Sequence, residues 1–117
     1  METLKDVEGK GRYLTKGIDV KLDKYVQLML WTILNDFKRM KLQNNQAGEI
    51  DPFQIFELEL DPAKNILRIK HKQEQPLYEK DHVFFNIQAQ AGKEYSGKIY
   101  VVDNELNGMT MMWSNEY

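Results

Sequence analysis

From Leu22 to Leu42 no glycine or proline interrupts the chain, and apolar residues recur there at helical spacing. Leu22, Val26, Met29, Leu30, Ile33, Phe37 and Met40 fall within a stripe about 100° wide when each residue turns 100°. A helix of that length spans about 30 Å, enough to lie across a sheet of ordinary strands. Asp19 or Asp23 can cap its amino end, and Lys38, Arg39 and Lys41 suit its negative carboxyl end. The polar run from Gln43 to Gly48 then stops it. The fold must therefore supply one long apolar surface for this helix to cover.

That surface is visible in the period-two segments that follow. Phe53 to Leu60 (FQIFELEL) and Leu67 to Lys72 (LRIKHK) alternate, separated by Asp61-Pro62-Ala63-Lys64-Asn65. With Asp61 opposite Ile66, Leu60 faces Leu67 and Leu58 faces Ile69 on one side. Glu59 then meets Arg68 and Glu57 meets Lys70 on the other. A slip of one residue sets Leu58 against Arg68, so this register is the expected one. Pro76 breaks the pattern. Further extended runs are expected at Val83–Gln88 and Lys98–Asp103, and at Met109–Trp113 after an Asn-Gly turn signal in residues 104–108. Arg12–Ile18 reads as a short extended segment. The expected fold is α+β, with one long amphipathic helix packed on one face of a mainly antiparallel sheet of about five strands. Residues 1–11 read as a flexible tail and residues 12–117 as a single domain.

Composition narrows the function classes. The 117 residues include no cysteine, which excludes disulfides, thiolate metal sites and cysteine nucleophiles and suits a reducing cytoplasm. The start of the chain is polar, without the apolar run of a signal peptide. The longest apolar run, Leu28 to Trp31, is far short of the roughly 20 residues that span a bilayer, so no membrane contact is expected. The net charge of −2 attracts no polyanion overall. Cytoplasmic localisation is the expectation.

Few residues resemble a reactive constellation. His71 and Glu74, with Asp81 and His82 further on, are the nearest approach to a metal or acid–base set. In a regular strand, however, His71 and Glu74 point to opposite faces, and zinc generally needs three or four converging ligands. Asp103 ends a strand, a place that suits a catalytic carboxylate but suits a turn-forming one better. Neither serine sits in a nucleophile elbow and there is no glycine-rich phosphate loop, so no catalytic, metal or cofactor residue is assigned. Arg68, Lys70 and Lys72 share one strand face and offer phosphate contacts to a single-stranded nucleic acid. Glu57 and Glu59 stand across from them and oppose that field.

The helix carries a surplus. Leu28-Met29-Leu30-Trp31 occupy every azimuth around it, so Leu28 and Trp31, with Leu42 further along, fall outside the stripe. Either Arg12–Ile18 folds over them or another chain does.

The order of several short phrases resembles a known family. Arg12–Ile18 (RYLTKGI), Val26–Trp31 (VQLMLW), Phe53–Leu58 (FQIFEL), His71–Tyr78 (HKQEQPLY), Lys98–Asp103 (KIYVVD), Thr110–Met112 and the closing Glu116-Tyr117 occur in that order. They are similar to the uncharacterised family numbered 960 among domains of unknown function, seen in staphylococci and other low-GC Gram-positive bacteria. The chain departs from the family in a longer loop around Asn44–Glu49 and in Pro52, where a tyrosine is usual. The resemblance implies a small bacterial cytoplasmic protein and supplies no activity. It draws attention to His71, Gln73, Glu74 and Tyr78 as lining a cleft.

The leading expectation is a non-enzymatic interaction module, a homodimer or the partner of another protein, engaging through Leu28, Trp31 and Leu42. Single-stranded nucleic-acid binding on Arg68, Lys70 and Lys72 is the second. An enzyme with an acid–base site near His71 and Glu74 is the third.

Overall fold

In the structure, a computed structural model, residues 10–104 and 108–117 are described. Strand β1 (Arg12–Leu14), helix α1 (Lys16–Lys21) and the long helix α2 (Lys24–Gln43) come first. Strands β2 (Phe53–Asp61), β3 (Ile66–Gln73), β4 (Tyr78–Phe84), β5 (Gly97–Asn104) and β6 (Gly108–Trp113) follow. They form one six-stranded sheet in the order β1-β6-β5-β2-β3-β4, antiparallel except for the parallel pair of β1 and β6. The fold is α+β, with one strand more than expected.

The β2–β3 hairpin has the register that the side-chain pattern demands: Leu58 opposite Ile69, Glu59 opposite Arg68 and Asp61 opposite Ile66. Its turn is held by Asp61, whose Oδ1 accepts from the backbone amides of Ala63 and Lys64 at 3.0 and 3.3 Å. Asp23 caps α2, accepting from the Tyr25 amide at 2.7 Å and from the Tyr95 hydroxyl at 2.7 Å. A helix packed on one face leaves Phe56, Leu58, Leu67, Ile69, Ile99, Val101, Met109 and Met111 as the buried side of the sheet.

Three expectations are corrected. Only Arg12–Leu14 of the expected Arg12–Ile18 segment is strand; Thr15 then accepts from the Ile18 amide and opens α1. The strand expected at Val83–Gln88 is β4, which runs earlier and ends at Phe84, with Asn86 in the left-handed region at φ 60°. An edge strand needs charge on both faces to resist stray pairing, and Glu79, Lys80 and Asp81 hide its alternation. Thirdly, the buried face of α2 is turned about 70° from the apolar stripe. It takes in Gln27, Trp31, Leu34 and Lys38, and leaves Met40 exposed and Met29 half-buried.

Most of the expected tail, residues 1–9, and the centre of the Asn-Gly turn, residues 105–107, lie outside the described residues. Lys10 pairs with Asp103, and the Gly11 carbonyl accepts from the Met109 amide at 2.8 Å. Gly108 has φ 113°, and a Cβ there would collide with the Gly11 backbone. Gly108→Ala is expected to lower stability by about 2–3 kcal/mol in urea unfolding, through backbone strain and a weakened β1–β6 pair. A change within about 0.5 kcal/mol, the range of neutral surface substitutions, would show that the chain adjusts there freely.

Candidate functional site

The rotation of α2 decides where the molecule has an open surface. The helix leans toward the β1–β6 side, where the Arg12 guanidinium lies 5.4 Å from the Trp31 ring centroid and Lys38 Nζ donates to Met109 Sδ at 3.0 Å. The β4 side is left uncovered. A trough of about 560 Å³ remains there, with one wall from Tyr25, Leu28, Met29, Ile33, Asp36 and Met40 of α2. Its floor and far side come from His71 of β3 and from Tyr78, Lys80, His82 and Phe84, alternate residues of β4. A second recess of about 370 Å³ shares Tyr25 and Met29 with it and runs on past Asn86, Ile87 and Gln90.

His71 is wholly buried at this floor. Its ring stacks on Phe56 (centroids 4.7 Å apart, 8° between planes) and meets Phe37 edge-on at 5.0 Å and Tyr78 edge-on at 5.4 Å. Burial first, and the neighbouring His82 second, hold its pKa down to about 3. The imidazole is therefore neutral across the physiological range. His82 is also lowered, by burial and then by Lys80, with Asp81 and Asp36 opposing. Burial raises the Tyr78 phenol.

A chain of amides supports His71 from behind. Its Nε2 lies 2.6 Å from Gln54 Oε1. Gln54 Nε2 donates to Asp51 O at 2.7 Å and to Gln73 Oε1 at 2.9 Å. Gln73 Nε2 donates to the carbonyls of Glu49 and Pro76, both at 2.8 Å. The buried Gln54 and Gln73 side chains thus spend both ends on the interior. His71 Nδ1 and His82 Nε2, by contrast, are buried without a partner among the described residues.

Of the four residues expected to line a cleft, the structure brings His71 and Tyr78 together in the trough. Gln73 lies buried in the amide chain, and Glu74 is exposed in the turn after β3, its amide bonded to Asp51 Oδ2 at 3.3 Å. His71 and Glu74 do not form an acid–base pair, because strand alternation sends one inward and the turn carries the other away. Among the described residues no three His, Asp or Glu side chains converge as a metal set. Met29, which the sequence reading placed in the sheet-facing stripe, and Asp36, Lys80 and Phe84 are trough residues that it did not assign to a site. The alternation Tyr78, Lys80, His82, Phe84 was the available signal.

The other expected surfaces are changed or balanced. Trp31 is only 7% exposed and Leu42 half-buried, whereas Leu28 is 54% exposed. The three do not form one exposed patch; cover for Trp31 comes from within the chain. On the far sheet face, Lys70 pairs with Glu79 at 2.9 Å, and Glu57 sits between Lys72 at 3.6 Å and Lys98 at 3.8 Å. Arg68, Lys70 and Lys72 therefore share that face with Glu57, Glu59, Glu79 and Asp81, which leaves little net positive field for a phosphate backbone. No helix among the described residues is long and apolar enough to cross a membrane.

Fold and site together define a two-layer α+β protein whose single long helix leaves one flank of its sheet open as an apolar trough. The family described as staphylococcal protein of unknown function, DUF960, matches residues 11–116, and the chain belongs to that family. None of the curated proteins matches it. A crystal structure of a protein of unknown function from Enterococcus faecalis is similar, with a TM-score of 0.64 at 16% identity, over 96% of this chain and 93% of that one. At that identity the likeness establishes the fold alone.

Proposed function

We propose that the protein is a non-enzymatic interaction module of the cytoplasm that seats an apolar segment of a partner chain in the trough between α2 and β4. One observation carries this reading. The open trough is continuous with an apolar flank of α2 that the fold leaves in water, with Tyr25 72%, Leu28 54% and Met40 41% exposed. A volume of 560 Å³ is of small-ligand size, but from Tyr25 to Met40 this flank runs about 22 Å along the helix, longer than a small molecule covers. A chain laid along it buries both, with aromatic and aliphatic side chains as anchors. Relative to Leu28, Trp31 and Leu42, the interaction face moves about 100° round the helix and keeps Leu28.

Charge opposes a second copy joined edge to edge in two of the antiparallel registers. Antiparallel pairing of β4 with its own copy about Asp81 sets Asp81 against Asp81. Pairing about Lys80 sets Lys80 against Lys80 and Glu79 against Asp81. Both registers oppose like charges, a usual protection of a free sheet edge.

Selection of random phage-displayed peptides on the purified protein tests this. Bound peptides are expected to share spaced apolar anchors and to lose most of their affinity for a folded Leu28→Glu/Met40→Glu variant. Binders that hold the variant equally well would place the site elsewhere. A concentration-dependent dimer abolished by the same variant would make the occupant a second copy.

A further inference from the structure

We infer that the floor of the trough is an anchor site for the hydroxyl of a tyrosine side chain of the partner segment, which donates to His71 Nδ1 and accepts from His82 Nε2. This rests on the trough being the binding surface, and it names what the trough selects.

The amide chain fixes the chemistry of His71. Both hydrogens of Gln73 Nε2 are committed to the carbonyls of Glu49 and Pro76, so Gln73 Oε1 is the acceptor for the Asp51 amide at 3.0 Å and for Gln54 Nε2. Gln54 Nε2 in turn gives its second hydrogen to Asp51 O. Gln54 therefore presents oxygen to His71, and the short Nε2 contact places the ring hydrogen on Nε2. Nδ1 is left as a lone-pair acceptor, buried and unpartnered among the described residues. A buried acceptor without a donor is costly, and a ligand donor relieves it.

His82 complements it. Its Nε2 is likewise buried and unpartnered, and no bond shown by the structure fixes its tautomer, so it can present N–H. Both residues line the one trough, and an acceptor and a donor there match a group that does both, of which a hydroxyl is the simplest. The surrounding Met29, Ile33, Phe37 and Phe84 select an apolar carrier for it, and an aromatic ring has the reach from the rim. His71 has no surface in water, so entry of the hydroxyl requires the rings that meet it edge-on, Tyr78 at 5.4 Å and Phe37 at 5.0 Å, to give way.

Titration of the protein with p-cresol, 4-methylanisole and toluene, read on the ring nitrogens of ¹⁵N-labelled histidines by NMR, tests the inference. Expected is roughly tenfold or greater preference for p-cresol over the other two. A shift of the His71 Nδ1 signal should accompany it, and the preference should vanish in His82→Phe, which leaves the amide chain intact. Equal affinity for all three compounds would overturn the hydroxyl anchor while leaving the apolar trough standing. Failure of all three to perturb the trough would remove the binding surface itself. A preference that survives in His82→Phe without a His71 shift would assign the hydroxyl to another site and also overturn the inference.

Discussion

Trp31→Ala is expected to destabilise the protein by about 3–5 kcal/mol, whereas Leu28→Ala, three residues earlier on the same helix, should change it by about 0.5 kcal/mol or less. The two residues belong to one apolar run, and their hydrophobicity alone ranks them close together. Their surroundings separate them. Trp31 is part of the buried core and lies under the Arg12 guanidinium, so its removal leaves a cavity beside a stranded cation. Leu28 stands on the flank with more than half of its surface in water. Against a total stability of about 5–15 kcal/mol for a domain of this size, the Trp31 loss is severe. It should lower the melting temperature by roughly 10–20 °C. Thermal unfolding of both variants at one concentration decides the matter. A mild Trp31→Ala and a costly Leu28→Ala would mean that the helix is turned the other way.

Acid should weaken the fold through His71 well before the carboxylates titrate. The unfolded imidazole takes up a proton near pH 6.5, but the folded one resists until about pH 3. Below pH 6.5 the unfolded state therefore binds more protons than the folded state, and stability falls as pH falls. The contribution is fully present above pH 6.5 and is lost progressively between pH 6.5 and 3. Between pH 7 and 5 the expected loss is about 2 kcal/mol from this residue. His82, lowered in the same direction, adds to it. Urea unfolding at pH 7, 6 and 5 should show that loss in the parent chain and a loss smaller by about 2 kcal/mol in His71→Phe. Identical slopes for parent and variant would show that His71 is not the buried neutral base described above.

The hairpin of β2 and β3 was legible residue by residue, because with a period of two a slip of one residue turns every pair over and sets Leu58 against Arg68. The long helix was legible in extent, and Asp23, its cap, was one of the two that the sequence offered beside Asp19. Its orientation was not. The apolar stripe pointed to Met29 and Met40, but the structure buries Trp31, Leu34 and Lys38 in their place. Burial of a helix face depends on what lies against it, and β1, whose Arg12 covers Trp31, was read together with the start of α1 as one extended segment, Arg12–Ile18. The trough followed the same course. His71 and Tyr78 were picked out from one bent phrase, while Lys80, Phe84 and Met29 joined them only through strand order and helix rotation.

The sequence by itself determined the class of fold, the long helix, the central hairpin and the family, because those rest on local periodicity and on an ordered set of phrases along the chain. The tertiary structure decided which side of the helix is inside, that Arg12 covers Trp31, and that Gln54 and Gln73 pin the His71 ring. It also decided that the β4 side of the sheet stays open. The physical reason is reach: periodicity fixes which residues share a face, and only contacts between distant segments fix which face is covered and which is left open.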